Sequence, residues 1–446
     1  MGIVFGVFAL LALGVLVAAN WYLWRRLFRD TTRGPGLARR AGAVLIAGGW
    51  AAAIGALAGE RTGAPFWLQQ TLAWPGFLWL ALSIYLLLAV VAGELVRPLL
   101  RRVLEGRARE SERAPEREPV RTTPDTAPTP DRATPEPAPA SKPAPLQDPA
   151  PTQAPLTTST ETPLPTSTET PLPTPTRRLF VSRLVAGAAA TAAFATVGYG
   201  TYGVLRGPRV KRVTVPLAKL PRAAHGYRIA VVSDIHLGPI LGRGFTEQVV
   251  HTINSTQPDI VAVVGDLVDG SVKDLGPAAA PLRQLKAPSY FVTGNHEYFS
   301  GAAQWVEEVR RLGLRPLENA RTELPWFDLA GVNDIAGESE GQGPDFIKAL
   351  GDRDPARACV LLAHQPVQIH EAVKHDVDLQ LSGHTHGGQL WPGNLLAAAA
   401  NPTLAGLDRY GDTQLYVSRG AGAWGPPTRV GAPSDITVIE LASTRA

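Results

Sequence analysis

The chain has 446 residues, of which 45% are hydrophobic and only 18% are charged, so its apolar residues must be concentrated in long uncharged segments and a wholly soluble protein is not expected. Its single cysteine, Cys359, excludes intramolecular disulfides and metal cages made of thiolates. The net charge of +4 is small for this length and the arginines flank apolar segments, so we expect no nucleic-acid partner.

Four segments contain no charged residue and are long enough to cross a hydrocarbon core about 30 Å thick. They are residues 2–24, 41–59, 66–93 and 184–205. A buried helix of a soluble protein rarely continues this far without a polar face, so we interpret all four as transmembrane helices. No Lys or Arg precedes the first segment, which favours a retained anchor over a cleaved signal peptide. The first three helices form a predicted transmembrane domain over residues 1–104.

The charges between these segments predict the orientation of the helices. Six arginines lie between the first and second segments, whereas only Arg61 lies between the second and third. Positively charged loops remain in the cytoplasm, so the six-arginine loop is predicted to be cytoplasmic and the N-terminus to be outside. Glu94, close to Arg97 and Arg101, is interpreted as a residue at the cytoplasmic boundary, with a proton-relay role as the less favoured alternative.

Residues 105–178 are predicted to form a disordered linker. Of the 40 prolines, 18 fall within residues 111–176, a stretch with no glycine and no Phe, Trp or Tyr. Such a stretch cannot bury enough apolar surface to fold. An octet is repeated in tandem at residues 158–165 and 166–173. Proline-rich sequence favours an extended chain, so we interpret the linker as a cytoplasmic spacer between two membrane units.

Residues 179–206 contain the fourth predicted helix. The sequence just before it, residues 176–182, resembles a twin-arginine export signal, although a plain arginine anchor is an equal alternative. Both interpretations place the following domain outside the cytoplasm. Arg206, Arg209 and two further basic residues beyond the helix oppose this orientation. We predict an integral, multi-pass membrane protein whose C-terminal domain is extracytoplasmic.

Residues 213–446 are predicted to form a globular α/β domain that contains all nine histidines. Short β-branched segments, typical of buried strands, each end in a polar cluster. These segments are residues 228–234, 259–266, 290–295, 359–364 and 377–384. Predicted helices at 245–254 and 302–312 alternate with the strands. Ligands of such sheets bind beyond the carboxyl ends of strands, so we expect the polar clusters to converge.

The converging side chains are carboxylates, one amide and imidazoles, with no thiol. They are Asp234, His236, Asp266, Asn295, His364, His384 and His386. A carboxylate such as Asp266 can bridge two cations about 3.5–4 Å apart. Oxygen and imidazole ligands suit borderline divalent ions. The predicted cofactor is therefore a pair of divalent metal ions, chiefly Mn, Fe or Zn.

Five motifs in this domain resemble, in the same order, those of the calcineurin-like metallophosphoesterases. They are Asp-x-His at 234–236, Gly-Asp at 265–266, Gly-Asn-His-Glu at 294–297, a lone histidine at 364 and Gly-His-x-His at 383–386. Three further segments resemble the membrane-anchored bacterial members: residues 362–366, 379–389 and 415–427. The resemblance covers residues 227–441 and implies an αββα sandwich.

The family resemblance also implies a role for each site residue. One metal would be held by Asp234, His236, Asp266 and His386. The other would be held by Asp266, Asn295, His364 and His384. His296 would lie near the leaving group for electrostatic stabilisation or general-acid catalysis, so the predicted catalytic residues are His296 and Asp266. Cations lower the pKa of water, which then attacks phosphorus while His296 assists the departing oxygen.

The remaining candidate residues receive structural interpretations. Surface or structural roles are predicted for His225, His251, His370 and His375. We interpret Cys359 as a buried small hydrophobic residue and Glu297 as a brace for its loop. For Arg243, Arg419 and Trp424, a place at the substrate pocket and a packing role are equally compatible with the sequence.

These features predict a membrane-anchored dinuclear-metal phosphoesterase. Its substrate would carry a phosphodiester, phosphomonoester or pyrophosphate bond, and the membrane anchor favours a lipid-linked one. The expected partners are membrane lipids, and no protein partner is inferred. One alternative is a hydrolase similar to the UDP-2,3-diacylglucosamine pyrophosphatases of lipid A synthesis, whose cytoplasmic substrate conflicts with the predicted orientation. An alternative of another class is a non-catalytic metal-binding scaffold.

Overall fold

The computed structural model describes residues 2–113 and 177–445. The central part of the predicted linker, residues 114–176, lies outside the described residues. Four long helices form most of residues 2–113 and the segment that precedes the globular domain. They are α1 (Gly2–Trp24), α2 (Leu37–Thr62), α3 (Phe66–Arg113) and α4 (Arg177–Leu205). Each helix includes one of the four uncharged segments. Helices α2, α3 and α4 continue past these segments into helical turns that carry charged residues.

Three of these helices, α2, α3 and α4, are long and apolar enough to cross a membrane. For α1, where the side chains of residues 2–5 and 7–9 lie outside the described part, the transmembrane assignment stays a prediction. Small residues allow close packing within the bundle: a Cβ atom on Gly76 of α3 would lie 2.6 Å from the carbonyl oxygen of Ala52 in α2. Such contacts are typical of helices that pack in lipid.

Charged residues from α3, α4 and the turn after α1 meet at one end of the bundle. Arg26 lies 3.0 Å from Glu94, and Arg97 lies 3.4 Å from the other carboxylate oxygen of Glu94. Arg183, near the start of α4, donates a hydrogen bond of 2.9 Å to the carbonyl oxygen of Thr31. The arginine-rich segments therefore cluster at the end of the bundle opposite the C-terminus of α4.

The sandwich domain, residues 209–443, contains two mixed six-stranded sheets, which agree with the predicted α/β class. The first has the order β1-β12-β2-β3-β4-β5 and the second β10-β11-β9-β8-β7-β6. Their strands are β1 (Arg209–Leu217), β2 (Tyr227–Val232), β3 (Ile260–Val264), β4 (Ser289–Val292), β5 (Arg315–Pro316), β6 (Ala320–Glu323), β7 (Phe327–Gly331), β8 (Ala358–Leu362), β9 (Leu379–Ser382), β10 (Gly406–Tyr410), β11 (Thr413–Val417) and β12 (Asp435–Ser443).

The domain has seven α-helices among its described residues. They are α5 (Arg243–Ser255), α6 (Val272–Ala279), α7 (Asn295–Ser300), α8 (Ala302–Arg311), α9 (Phe346–Leu350), α10 (Ile369–Lys374) and α11 (Gly393–Ala400). Helices α5, α6, α8, α9 and α10 cover the outer faces of the paired sheets. One hydrophobic cluster joins the sheets face to face, with Ile229 from the first and Val360 from the second. Two others join the outer faces to helices, for example Trp305 of α8 and Ala372 of α10. The layers therefore run helix, sheet, sheet, helix.

The five predicted strands correspond to β2, β3, β4, β8 and β9, and each ends before its polar cluster. Asp234, Asp266, His364 and His384 all lie two residues beyond the end of a strand. The side chains of these central strands are almost entirely buried, which is why they form unbroken apolar segments. The chemically active residues consequently lie on the loops at one edge of the sandwich.

Helices α3 and α4 pack against this same edge. The hydroxyl oxygens of Thr201 in α4 and Thr428 are 2.8 Å apart, and the Tyr85 hydroxyl of α3 donates a 2.9 Å hydrogen bond to the carbonyl oxygen of Trp391. A Cβ atom on Gly200 would lie 2.8 Å from the carbonyl oxygen of Arg429. The bundle and the loops that carry the polar clusters are therefore in direct contact.

Candidate metal centre

The structure brings the predicted ligand residues together as two adjoining groups. In each group, every residue offers a ligand atom within 4.8 Å of those of the others. The first group is Asp234, His236, Asp266 and His386. The second is Asp266, His364 and His384, and the Asn295 side-chain oxygen lies 3.0 Å from Nδ1 of His384. Asp266 belongs to both groups.

The atoms of these groups face one another in a way that suits cations. Nδ1 of His364 is 2.8 Å from the carbonyl oxygen of Val264, so in the neutral ring Nδ1 carries the proton and Nε2 keeps its lone pair. That buried Nε2 has no hydrogen-bond partner and lies 3.2 Å from Oδ2 of Asp266. When the imidazole is neutral, Nε2 of His364 and Oδ2 of Asp266 are both hydrogen-bond acceptors, so neither can donate to the other. A cation between them would satisfy both, and the residues present therefore fit a divalent metal.

The backbone of the site also departs from ordinary conformations. Five of the predicted ligands have positive φ angles: Asp234 (51°), His236 (48°), Asp266 (52°), His384 (71°) and His386 (51°). This region is unfavourable for residues with a Cβ atom, and such residues cluster where function requires a particular side-chain direction. The loops after β2, β3 and β9 thus hold their ligands in strained conformations.

Electrostatic effects leave two of the candidate ligands in the form that binds metals. Burial alone would raise the pKa of Asp266, but the positively charged form of the neighbouring His364 imidazole outweighs burial and holds this pKa well below its usual range. Burial and the neighbouring His364 lower the pKa of His384 to about 4. Asp266 is therefore a carboxylate and His384 a neutral imidazole at neutral pH.

Asp269, which the sequence analysis did not identify, holds two imidazoles. Its Oδ1 lies 2.9 Å from Nδ1 of His236 and 2.7 Å from Nδ1 of His296. Burial lowers the pKa of His296, but the hydrogen bond to Asp269 outweighs burial and raises it to about 9. Because Nδ1 is engaged, Nε2 is the nitrogen that His296 offers to a substrate. A second aspartate three residues after Asp266 was the available sequence signal.

Glu297 braces the loop after β3, as predicted. Its side chain is fully buried and accepts backbone hydrogen bonds from Asp266 at 3.0 Å, Leu267 at 2.7 Å and Gly294 at 2.6 Å. Desolvation and the nearby Asp266 carboxylate raise the pKa of Glu297 to about 7. One side chain thus ties the loop after β3 to the start of α7.

Arg429 is a second brace that the sequence analysis missed. Its buried guanidinium donates to the carbonyl oxygens of Gly422 at 2.6 Å, His386 at 3.0 Å and Ala432 at 3.2 Å. Burial lowers the pKa of Arg429 to about 10. No local motif identifies this residue, because its partners are backbone oxygens.

The other candidate residues lie around the site or away from it. His225, His251 and His370 are exposed, and Cys359 is buried in β8. Arg243 pairs with Glu247 on the surface at 2.9 Å. His375 is half-buried and stacks on Phe346. Trp424 lines the cavity above the site, next to the ring of His296.

A cavity of about 1060 Å³ lies over the centre. Its floor includes Asp266, Asp269, Asn295, His296, His384 and His386. Its opposite wall belongs to the membrane helices α2 and α3, with Trp50, Leu57, Glu60, Arg61, Leu80 and Ile84. Sequence reasoning used Arg61 only for orientation and did not connect either helix with the site. The N-terminal bundle is thus part of the cavity.

Comparison with known proteins places these observations in a family context. A sequence profile of the calcineurin-like phosphoesterases matches residues 227–388. A transmembrane protein with metallophosphoesterase domain from Danio rerio is 40% identical over 259 residues, which cover 54% of this chain and 59% of that protein. An uncharacterized metallophosphoesterase of Helicobacter pylori is 38% identical over 255 residues, covering 55% of this chain and 68% of the relative.

A shorter relative matches over most of its length. An uncharacterized metallophosphoesterase of Aquifex aeolicus is 35% identical over 240 residues, which cover 52% of this chain and 91% of the relative. By contrast, the chain spans 59% of the length of the zebrafish relative. The similarity therefore extends over about half of this chain.

Proposed function

Because this chain belongs to the calcineurin-like metallophosphoesterases, we propose that it hydrolyses a phosphodiester, phosphomonoester or pyrophosphate bond in a lipid-linked substrate. The observation that carries the proposal is the convergence of buried carboxylates and imidazoles on the floor of one cavity. The opposite wall of that cavity is formed by apolar membrane helices, which supports a substrate with a lipid part.

The proposed cofactor is a pair of divalent cations, with Mn, Fe or Zn as the ions that suit this donor set. One would be held by Asp234, His236, Asp266 and His386. The other would be held by Asp266, Asn295, His364 and His384. Bound cations would lower the pKa of water and neutralise negative charge on phosphoryl oxygens.

The chain's own residues would contribute orientation and a proton. Asp269 positions the imidazoles of His236 and His296 through Nδ1, which directs the opposite nitrogen of each ring toward the centre or the cavity. His296 can then donate its Nε2 proton to the departing oxygen. Glu297 accepts a hydrogen bond from the backbone N–H of Asp266, and Arg429 donates one to the carbonyl oxygen of His386. These two side chains thus hold the loops that carry Asp266 and His386. Arg61 adds a positive charge to the wall that faces an anionic substrate.

We expect the His296→Ala variant to retain its metal and to lose about 10²- to 10⁴-fold in turnover, because His296 supplies a proton and is not needed as a ligand. The measurement is hydrolysis of bis-p-nitrophenyl phosphate by the purified full-length protein with added Mn, together with metal analysis. The matched control is His251→Ala, an exposed histidine on α5. If the wild-type protein binds metal and hydrolyses no phosphoester, the scaffold alternative replaces the proposed activity.

We also propose that the protein is multi-pass, with four transmembrane helices and an extracytoplasmic sandwich domain. Clustering of the arginine-rich segments at one end of the bundle supports this orientation, since α4 runs from that end to the sandwich. The orientation disfavours the UDP-2,3-diacylglucosamine alternative, whose substrate pool is cytoplasmic.

Reporter fusions test this orientation. Alkaline phosphatase fused after Ala446 is expected to be active and a fluorescent reporter at the same position to be dark, because phosphatase folds outside the cytoplasm. Fusions after Arg40, in the predicted cytoplasmic loop, are the control. There the phosphatase should be inactive and the fluorescent reporter should be bright. A fluorescent C-terminal fusion would contradict the proposed orientation and restore the cytoplasmic substrate alternative.

A further inference from the structure

Helix α11 is an apolar element on the surface of the sandwich domain. The helix contains no charged residue and no buried residue. Leu395 and Leu396 are 65% and 78% exposed, and Trp391 just before the helix is 52% exposed. A soluble domain seldom groups three large apolar side chains on one exposed segment, and such patches mark contact with an apolar partner.

The segment that leads into α11 lies against the membrane bundle. Leu390 packs on the hydrophobic cluster formed by α2, α3 and α4. The carbonyl oxygen of Trp391 accepts the 2.9 Å hydrogen bond from Tyr85, which lies within the uncharged part of α3. The start of α11 is therefore held against helices that are long and apolar enough to span a membrane.

The opposite side of α11 faces the cavity. Pro392, Gly393 and Ala397 line it together with Trp50 of α2 and Ile84 of α3. Trp50 and Ile84 both belong to uncharged segments of helices that are long and apolar enough to span a membrane, so the cavity extends from the metal-binding residues to these apolar segments. Its volume of about 1060 Å³ is at the upper end of the usual range for ligand sites, about 300–1000 Å³. A phosphoryl group alone would leave most of it empty.

We propose that the cavity opens sideways into the bilayer between α11 and the pair α2–α3, and that its apolar part is a subsite for the acyl chain of a lipid phosphoester. The inference rests on the proposed phosphoesterase function. In this arrangement the phosphoryl group lies on the floor near His296, and the chain extends between Ile84 and Ala397. Leu395 and Leu396 anchor α11 in the lipid beside the opening. The N-terminal bundle thereby becomes part of the substrate site.

Fluorescence quenching tests the arrangement without depending on turnover. Cys359 is buried in β8, so the wild-type protein serves as the labelling blank. Single cysteines are introduced as Leu395→Cys on the exposed side of α11 and Ala397→Cys on its cavity side. Ile347→Cys is the matched control, because Ile347 is 75% exposed on α9, on the outer face of the second sheet. Each full-length variant is labelled with bimane and reconstituted in phosphatidylcholine vesicles.

Replacing the lipid by phosphatidylcholine with brominated acyl chains should quench the labels at positions 395 and 397 at least about twofold, because both would lie within the reach of acyl chains. The label at position 347 should change little. Quenching at 395 without quenching at 397 would mean that α11 enters the membrane but the cavity is closed to lipid, which overturns the acyl-chain subsite. Equal, weak quenching at all three positions would overturn the whole arrangement.

Hydrolysis of bis-p-nitrophenyl phosphate by the unlabelled wild-type protein in the same vesicles separates this inference from the proposed function. A protein that hydrolyses the soluble ester but shows no quenching at 397 keeps the phosphoesterase function and contradicts the inference. If the label at 397 is quenched and the wild-type protein hydrolyses no ester, the lipid-accessible cavity stands and the proposed function is contradicted.

Discussion

The Asp266→Ala variant is expected to lose metal from both predicted positions and at least about 10³-fold in phosphoester hydrolysis, since losing several kcal/mol of charge stabilisation has an effect of this size. Asp266 is the residue shared by the two ligand groups. Its Oδ2 lies 3.2 Å from Nε2 of His364 and 3.7 Å from Nε2 of His236. No other residue of the described site faces imidazoles from both groups in this way.

Metal content per chain and hydrolysis of bis-p-nitrophenyl phosphate, measured on the same preparation, check this expectation. Asp412→Ala is the matched control, because Asp412 is an exposed aspartate in the turn between β10 and β11. The assignment of Asp266 as a shared ligand is wrong if the Asp266→Ala protein retains two metals and full activity. If the variant loses only one metal, Asp266 is a ligand at one of the two predicted metal positions and not at both.

Among these variants, Glu297→Ala should show the largest decrease in the free energy of unfolding. The substitution leaves the backbone N–H groups of Asp266, Leu267 and Gly294 without their acceptor in a fully buried region. An unsatisfied buried donor costs about 1–3 kcal/mol, so three would cost about 3–9 kcal/mol. Because the substitution also removes the desolvation cost of the Glu297 carboxylate, we expect the lower part of this range, about 3–5 kcal/mol. For a domain of this size that corresponds to a fall of about 10 °C in the melting temperature. Glu297→Gln keeps one acceptor oxygen and should lose less.

The chain offers a convenient measurement of this effect. Cys359 is its single cysteine and is buried in the sandwich domain, so a thiol-reactive dye reports unfolding of that domain. Glu307→Ala is the matched control, since the Glu307 side chain is 73% exposed on α8. A melting temperature of Glu297→Ala within about 2 °C of the wild type would show that the three bonds contribute little.

Much of the sandwich domain follows from local sequence. The central strands are buried on both faces, so their apolar segments are continuous and easy to identify. Each of these strands ends just before its polar cluster, as predicted; Ser233 and Asp234, for example, follow the end of β2. The family resemblance carried by the five motifs is confirmed by the profile match and by the relatives, while the individual ligand roles stay predictions.

The supporting residues could not be predicted in the same way. Asp269 acts through imidazoles that lie 27 and 33 residues away in the chain, and Arg429 binds carbonyl oxygens of three separate positions. The contribution of such a residue depends on which groups the fold places beside it. Charge alone does not distinguish Arg429 from the many arginines on the surface.

The sequence by itself determined the apolar segments, the buried strands and the donor set, because hydrophobic period and residue chemistry are local properties. Only the tertiary structure decided that the membrane bundle forms a wall of the cavity over the metal-binding residues. Trp50 and Ile84 line the same cavity as residues that follow β4 and β9, from which they are separated by about 200 residues or more of sequence. Shape complementarity between distant surfaces, such as the approach of Gly200 to Arg429, sets that arrangement and leaves no periodic pattern in the chain.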